Sequence, residues 1–202
     1  GALEEFLGRW GRAPRMATAA LNGLAKHRRP SVADAVLGCM LQGRVEVNVF
    51  HFSSAISACE KGCSWQLALN MMERMPKLRV VPNEMTYGAG ISACEKGCQW
   101  QMALSMLSDM PASRAVPEAV VCNAAVSACG NGGRWRAALR LLRAAADVGV
   151  MRDAFGLDAA ISACEKGQKW EQALGLFAAM DSSNVKLDRI SFSAAISACE
   201  KA

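Results

Sequence analysis

Apolar side chains return along this chain at helical spacing, in two settings that alternate. In the first, Phe52, Ile56 and Cys59 stand at i, i+4 and i+7 of the stretch Phe50–Lys61, which puts them on one face of an α-helix. Gly62 closes that stretch, and Gly97, Gly132 and Gly167 close later ones. Glycine at this point predicts a tight exit between two closely packed helices. In the second setting Trp65 leads Ala68, Leu69, Met72 and Met75, and Trp100 leads Ala103, Leu104, Leu107 and Met110. Each run is one apolar face of a second helix. Trp135 and Trp170 open equivalent runs. Pro76 and Pro111 follow the last methionine, so the helix is expected to end or bend there, and Pro82 and Pro117 punctuate the connection onward.

The two settings belong to one repeating unit. Ile56-Ser-Ala-Cys-Glu-Lys-Gly62 returns as Ile91–Gly97, Ile161–Gly167 and Ile196–Lys201, with an altered copy at Val126–Gly132, each 35 residues from the last. The units run 49–83, 84–118, 119–153 and 154–188, with a first helix alone at 189–202. Residues 14–48 read as a degenerate unit: Leu21, Lys26, Ala33, Leu37, Met40 and Asn48 keep the register, while Pro30 stands where tryptophan is expected. Residues 1–13, with Phe6, Leu7 and Trp10, read as the remnant of an earlier second helix or a short cap. Two amphipathic helices cannot bury their faces alone, so neighbouring units must cover them. The expected architecture is all-α, a right-handed superhelical solenoid of helical hairpins with 35-residue repeats. Function is then expected on a surface built by stacking. The tryptophans admit two readings, a platform for stacked bases or interhelical packing; their place at the start of the second helix favours packing.

Composition narrows this picture without changing it. Apolar residues at 52% and charged residues at 20% argue against wholesale disorder. The net charge of +5 is uneven: 1–48 carries +3, 49–83 +2, 84–118 −2, 119–153 +3, 154–188 −2 and 189–202 +1. An anionic partner would meet separate basic stations instead of a uniform tail. Of nine cysteines, Cys59, Cys94, Cys129, Cys164 and Cys199 hold the same place in successive units, which fits small buried thiols in a reducing compartment better than disulfides. No stretch reaches transmembrane length without charge, and no secretory signal opens the chain. Beginning at Gly1 and stopping inside a unit, the sequence reads as a processed or truncated segment, whose last helix would leave an apolar face for further repeats or a partner.

The period, the Thr86-Tyr87 opening, the Ser-Ala-Cys-x-Lys core, the Trp-x-x-Ala-Leu start of helix two and the closing Pro-Asn or Pro-Glu together resemble pentatricopeptide repeat proteins across residues 14–202. A 34-residue tetratricopeptide period does not fit. The near-identity of the copies resembles the large sets of such proteins in dinoflagellate algae. The resemblance implies that first helices line an inner groove and that each unit addresses one RNA base, read by its fifth and last residues. Those pairs are Thr18 with Asn48, Ser53 with Asn83, Gly88 with Glu118, Asn123 with Asp153, and Asp158 with Asp188; Ser193 opens one more. By resemblance the first two pairs favour adenine and the fourth uracil. Gly88 offers no side-chain hydrogen bond, while Glu118, Asp158 and Asp188 bring negative charge toward a phosphate groove.

The second position carries Phe50, Met85, Val120, Phe155 and Ile190, an apolar series suited either to packing against bases or to ordinary packing near a helix start. Lys26, Lys61, Lys96, Lys166 and Lys201 recur at the end of the first helix, with Asn131 as the exception. They fit a ladder of phosphate contacts, as the family implies, or cations placed favourably at helix C-termini.

Catalytic and cofactor chemistry finds no footing here. Cys59 with Cys63 and Cys94 with Cys98 lack two further zinc ligands, and His27 and His51 do not recur beside them. No phosphate-binding glycine loop, His-Glu zinc signature or nucleophile elbow occurs, and no editing-deaminase segment is recognisable. The sequence therefore predicts a non-enzymatic module for single-stranded RNA, without cofactor or metal, acting in processing, stabilisation or translation in a mitochondrion or chloroplast. The competing expectation is a scaffold binding protein subunits of an organellar assembly.

Overall fold

Residues 14–150, 154–182 and 189–200 are described by the structure, a computed structural model. The expected remnant helix or cap over 1–13 lies outside them. Eleven α-helices occur among the described residues: α1 (Pro14–Lys26), α2 (Pro30–Gln42), α3 (Val49–Lys61), α4 (Trp65–Lys77), α5 (Glu84–Lys96), α6 (Trp100–Asp109), α7 (Ala119–Asn131), α8 (Trp135–Asp147), α9 (Ala154–Lys166), α10 (Trp170–Ser182) and α11 (Arg189–Glu200). None is long and apolar enough to cross a membrane.

Odd-numbered helices pack side by side from α1 to α11, and each even-numbered helix packs on the odd helices before and after it. The result is a two-layer stack of hairpins. Odd helices are covered from both sides, and their sequence suits that: α3 buries His51–Ile56, Ala58 and Cys59, mostly small or compact residues that let helices approach closely. Phe52, Ile56 and Cys59 are fully buried, as their spacing predicts. Burying Phe52 contributes about 1.5–3 kcal/mol. Even helices bury a narrower stripe, such as Ala68, Met71 and Met75 in α4.

The second-helix face differs in detail from the sequence expectation. Ala103, Met106 and Met110 are buried, but Leu104 and Leu107 are only half-buried. They pack, with Trp100, against the core formed by α7, α8 and α9, so these leucines join one hairpin to the next. In α11 Ile196 is 59% exposed where its counterpart Ile91 is fully buried.

The closing glycines serve the close packing expected of them, without a left-handed backbone at Gly62, Gly97 or Gly132. Gly62, Gly97 and Gly132 have φ of −90°, −87° and −82°, open to any residue. The left-handed residue of each turn is the next one: Cys63, Cys98, Gly133 and Gln168. What requires glycine is close approach. A Cβ at Gly97 would land on Trp65 Cδ1, one at Gly132 on Trp100 and one at Gly167 on Trp135. In the degenerate hairpin Pro30 does the same, lying 2.8 Å from a Cβ placed at Gly62. Trp65, Trp100 and Trp135 thus serve interhelical packing between successive hairpins, while Trp170 is exposed.

The prolines act one residue later than expected in α4, where Pro76 sits inside the last turn and the helix closes at Lys77. Pro111 instead starts a 3-10 turn through Ser113.

Candidate nucleic-acid interface

In α3, α5, α7 and α9 the second residue turns outward. Phe50 is 57% exposed, Met85 66%, Val120 72% and Phe155 77%, so ordinary packing at the helix start does not account for them. The side chain of Ile190 lies outside the described residues.

A groove of about 550 Å³ runs across α5, α7 and α9 and is lined by first-helix residues alone. It gathers second residues Val120 and Phe155, fifth residues Asn123 and Asp158, Ser92, Ser127 and Ser162 on the floor, and Asn131 and Lys166 at the far end. Residues chosen from sequence as base-packing, base-reading and phosphate-contacting therefore share one wall.

The last residue of a unit also has a local duty that sequence analysis missed: it is the N-cap of the following helix. Asn48 Oδ1 accepts from the amide N–H groups of Phe50 at 3.1 Å and His51 at 3.2 Å. Asn83 Oδ1 accepts from the Thr86 amide at 3.0 Å and the Thr86 hydroxyl at 2.7 Å. Both helices close a capping box, because His51 Nδ1 and Thr86 Oγ1 accept in return from the cap residue's own N–H. The signal was present as asparagine directly before a helical run. Glu118 stands at the same point of α7 and makes no side-chain cap. Asp153, Asp188 and Lys201 lie outside the described residues.

Fifth residues are held by the third residue of the next first helix. Ser53 Oγ lies 3.0 Å from Thr86 Oγ1 and 3.5 Å from Asn83 Oδ1, and donates to the Val49 carbonyl at 2.8 Å. The predicted Ser53–Asn83 pair is thus brought together, with Thr86 between them. Ser191 Oγ donates to Asp158 Oδ1 at 2.5 Å, and both residues are buried. A charge-assisted hydrogen bond thus satisfies one oxygen of Asp158, which still lines the groove. His51 reaches back in the same sense, its Nε2–H donating to the Pro14 carbonyl at 3.1 Å. Thr18 Oγ1 donates to that same carbonyl at 3.3 Å. Gly88 faces Val121 Cγ2 at 3.5 Å from a built Cβ, and Ser193 is exposed on α11.

Two of the lysines at the ends of first helices, Lys96 and Lys166, cross to the preceding hairpin. Lys96 Nζ bonds Glu60 Oε1 at 3.0 Å and the Glu60 carbonyl at 3.3 Å, crossing to the preceding hairpin. Lys166 donates to Asn131 Oδ1 at 2.6 Å, and Asn131 donates to the Glu95 carbonyl at 3.5 Å. A polar edge thus ties successive C-termini together where their carbonyls carry partial negative charge. Lys26 and Lys61 are exposed.

A second basic region escaped the sequence analysis. Arg136, Arg140 and Arg143 stand at i, i+4 and i+7 of α8, exposed and turned away from its buried Ala138, Leu142 and Ala145. Cations cover the tryptophans nearby: Arg134 lies 4.9 Å from the Trp100 centroid, and Arg136 and Lys169 lie 4.6 and 5.8 Å from that of Trp135. Stacking of bases on these rings is correspondingly disfavoured.

Four of the five recurring thiols are buried and chemically quiet, whereas Cys199, expected to be buried like them, is exposed on α11. Burial raises Cys59 to about 12, helped by the charge of Asp34, and raises Cys94, Cys129 and Cys164 to about 11; Cys122 is raised too. Among the described residues no group of three His, Cys, Asp or Glu is placed to hold a metal ion.

A two-layer stack of helical hairpins with a groove along its first helices defines an all-α helical-repeat protein. The match of residues 16–145 to the family described as pentatricopeptide repeat-containing protein shows that this chain belongs to that family. Its fold is similar to the pentatricopeptide repeat protein PPR10 from maize, with 23% identity and a TM-score of 0.69 over 92% of this chain and 26% of that one. It is also similar to the pentatricopeptide repeat domain of Arabidopsis thaliana protein-only RNase P 1, solved in complex with tRNA, at 14% identity and TM-score 0.77 over 92% and 98% of the two chains. Nuclear proteinaceous RNase P 2 from A. thaliana gives 10% identity and TM-score 0.78 over 91% and 41%. The chain spans about a quarter of the maize protein's length. No curated protein sequence matches it.

Proposed function

We propose that the protein is a non-enzymatic single-stranded RNA-binding module that acts in organellar RNA processing, stabilisation or translation, in a mitochondrion or chloroplast. The observation that carries this reading is the groove in which Val120 and Phe155, Asn123 and Asp158, and Lys166 line one wall. Exposed apolar residues there hold base faces, fifth and last residues meet base edges, and cations beside the groove meet phosphate. The units are 14–48, 49–83, 84–118, 119–153 and 154–188, with a partial one at 189–202, wound into a right-handed superhelix of 35-residue repeats. Thr18 with Asn48 and Ser53 with Asn83 select adenine, and Asn123 with Asp153 selects uracil. Gly88 with Glu118 and Asp158 with Asp188 add little selectivity. Phe50, Met85, Val120, Phe155 and Ile190 pack against bases, and Lys26, Lys61, Lys96, Lys166 and Lys201 serve the backbone. Support for an RNA partner comes also from the tRNA complex of the similar Arabidopsis domain. Placement in an organelle rests on the family and on the resemblance of the repeats to dinoflagellate members.

The test is binding of random and of adenine- and uracil-containing single-stranded RNA, titrated with salt. Micromolar or tighter binding that weakens with salt is expected, and Asn123→Ser should reduce uracil preference at one position. A folded chain that binds no RNA would sink the reading.

The second reading, a protein-binding scaffold, is favoured by one observation: the Arg136, Arg140 and Arg143 row faces away from the groove, and none of the three has an ion pair among the described residues. If this reading is right, charge reversal of the row leaves RNA binding intact and abolishes capture of a native protein partner.

A further inference from the structure

The Ser53–Asn83 pair is not independent of the hairpin that follows it. Thr86 belongs to α5, yet its hydroxyl stands between Ser53, on α3, and Asn83, which precedes α5. Each hydroxyl has one proton to give. If Thr86 gives its proton to Asn83 Oδ1 at 2.7 Å, Ser53 can donate to Thr86 Oγ1, to the Val49 carbonyl or, at 3.5 Å, to Asn83 Oδ1. If Thr86 instead donates to Ser53, Ser53 donates to Val49. In both arrangements the Ser53 proton is used inside the protein, and what Ser53 has left to offer is a lone pair. The Asn83 carboxamide is fixed as well. Its oxygen is held inward by the Thr86 N–H at 3.0 Å, which turns the NH2 group outward as a donor.

We propose that Thr86 is a positioning residue that sets the hydrogen-bond polarity of the Ser53–Asn83 station, so that the third residue of one unit governs how the preceding unit discriminates bases. This rests on the RNA-binding reading above. With Thr86 in place the station offers one acceptor and one donor in fixed order. Without its hydroxyl, Ser53 is released to donate or accept, and one of the two bonds that hold Asn83 Oδ1 is lost. A base with the opposite donor–acceptor order is then accepted. The same relation recurs one helix pair from the other end, where Ser191 directs its proton at Asp158 across α11 and α9. The third position is otherwise variable: Val121 and Gly156 occupy it in α7 and α9, and neither offers a hydroxyl.

The experiment is selection of bound sequences from a random single-stranded RNA pool by the full chain and by Thr86→Val, Thr86→Ser and Thr86→Cys, with helicity and melting followed by circular dichroism. Valine is included because α7 already carries a buried Val121 at this place, so the fold accommodates it. The expected result is that Val and Cys flatten the preference at one position of the selected motif by at least fivefold and leave the others unchanged, while Ser keeps the wild-type motif. An unchanged motif in a folded Thr86→Cys or Thr86→Val chain overturns the inference and leaves the RNA reading standing. A wild-type chain that binds RNA but enriches no base overturns this inference and the base-reading roles together, and one that binds no RNA overturns the function itself.

Discussion

Trp65 packs on Gly97 of the following hairpin so closely that no methyl group fits between them. The same seat is filled by Trp100 on Gly132, Trp135 on Gly167 and, in reduced form, Pro30 on Gly62. The contact joins the start of one hairpin's second helix to the end of the next hairpin's first helix, which fixes how far each hairpin advances on its neighbour. Its tightness gives glycine substitutions a sign that depends on position.

Gly97→Ala should destabilise the chain by about 1–3 kcal/mol, the usual cost of overpacking. Gly23→Ala should stabilise it by about 0.5–1 kcal/mol, because it lies inside α1 with nothing within 4 Å of the added Cβ. Urea denaturation of the two variants checks both. A neutral Gly97→Ala would show that the Trp65 ring can step aside.

The asparagine caps make a second pair of opposite changes. Asn48→Ala should cost about 0.5–2 kcal/mol, since it removes the acceptor for two amide N–H groups at the start of α3. Glu118→Asn should gain up to about 1 kcal/mol by supplying the cap that α7 lacks. Melting temperatures moving the same way in both variants would contradict the assignment of these residues as helix caps.

Stability should fall with pH on the alkaline side. Burial holds Cys94, Cys129 and Cys164 protonated to about 11, whereas an exposed thiol ionises near 9.0, so the unfolded chain releases protons first. The contribution is fully present below about pH 9 and is lost between about 9 and 11. In the native state a thiol-specific reagent should modify Cys63, Cys98 and Cys199 first and reach the buried five only after denaturation. Equal reactivity of all nine would mean the hairpins open readily.

Lys61 and Lys96 should differ in their effect on RNA affinity. Lys61 is exposed, so Lys61→Ala should weaken binding and reduce its salt dependence by about one ion. Lys96 is engaged by Glu60, and Glu60→Gln should release it and tighten binding. Identical behaviour of the two lysines in salt titrations would show that the Glu60 contact does not compete with phosphate.

Much of the architecture is written in the order of residues because it is periodic and local. Apolar positions at i, i+4 and i+7 give the buried face of α3 whatever surrounds it, and the tryptophans mark where the second helices start. The common wall shared by Val120, Asn123 and Lys166 follows from helical spacing within one element and equal register between elements. Sequence therefore determined the helices, the hairpin stacking and which residues line one face. Tertiary structure alone decided what those residues touch. Close approach, not backbone conformation, selects glycine at 97, because the constraining ring comes from another hairpin. Thr86 and Ser191 meet Ser53 and Asp158 across roughly one repeat length, and Leu104 joins the next hairpin's core instead of its own. Such contacts depend on the rotation and separation of neighbouring helices, which are set by the sum of packing over the whole stack and have no signature in any single window of the chain.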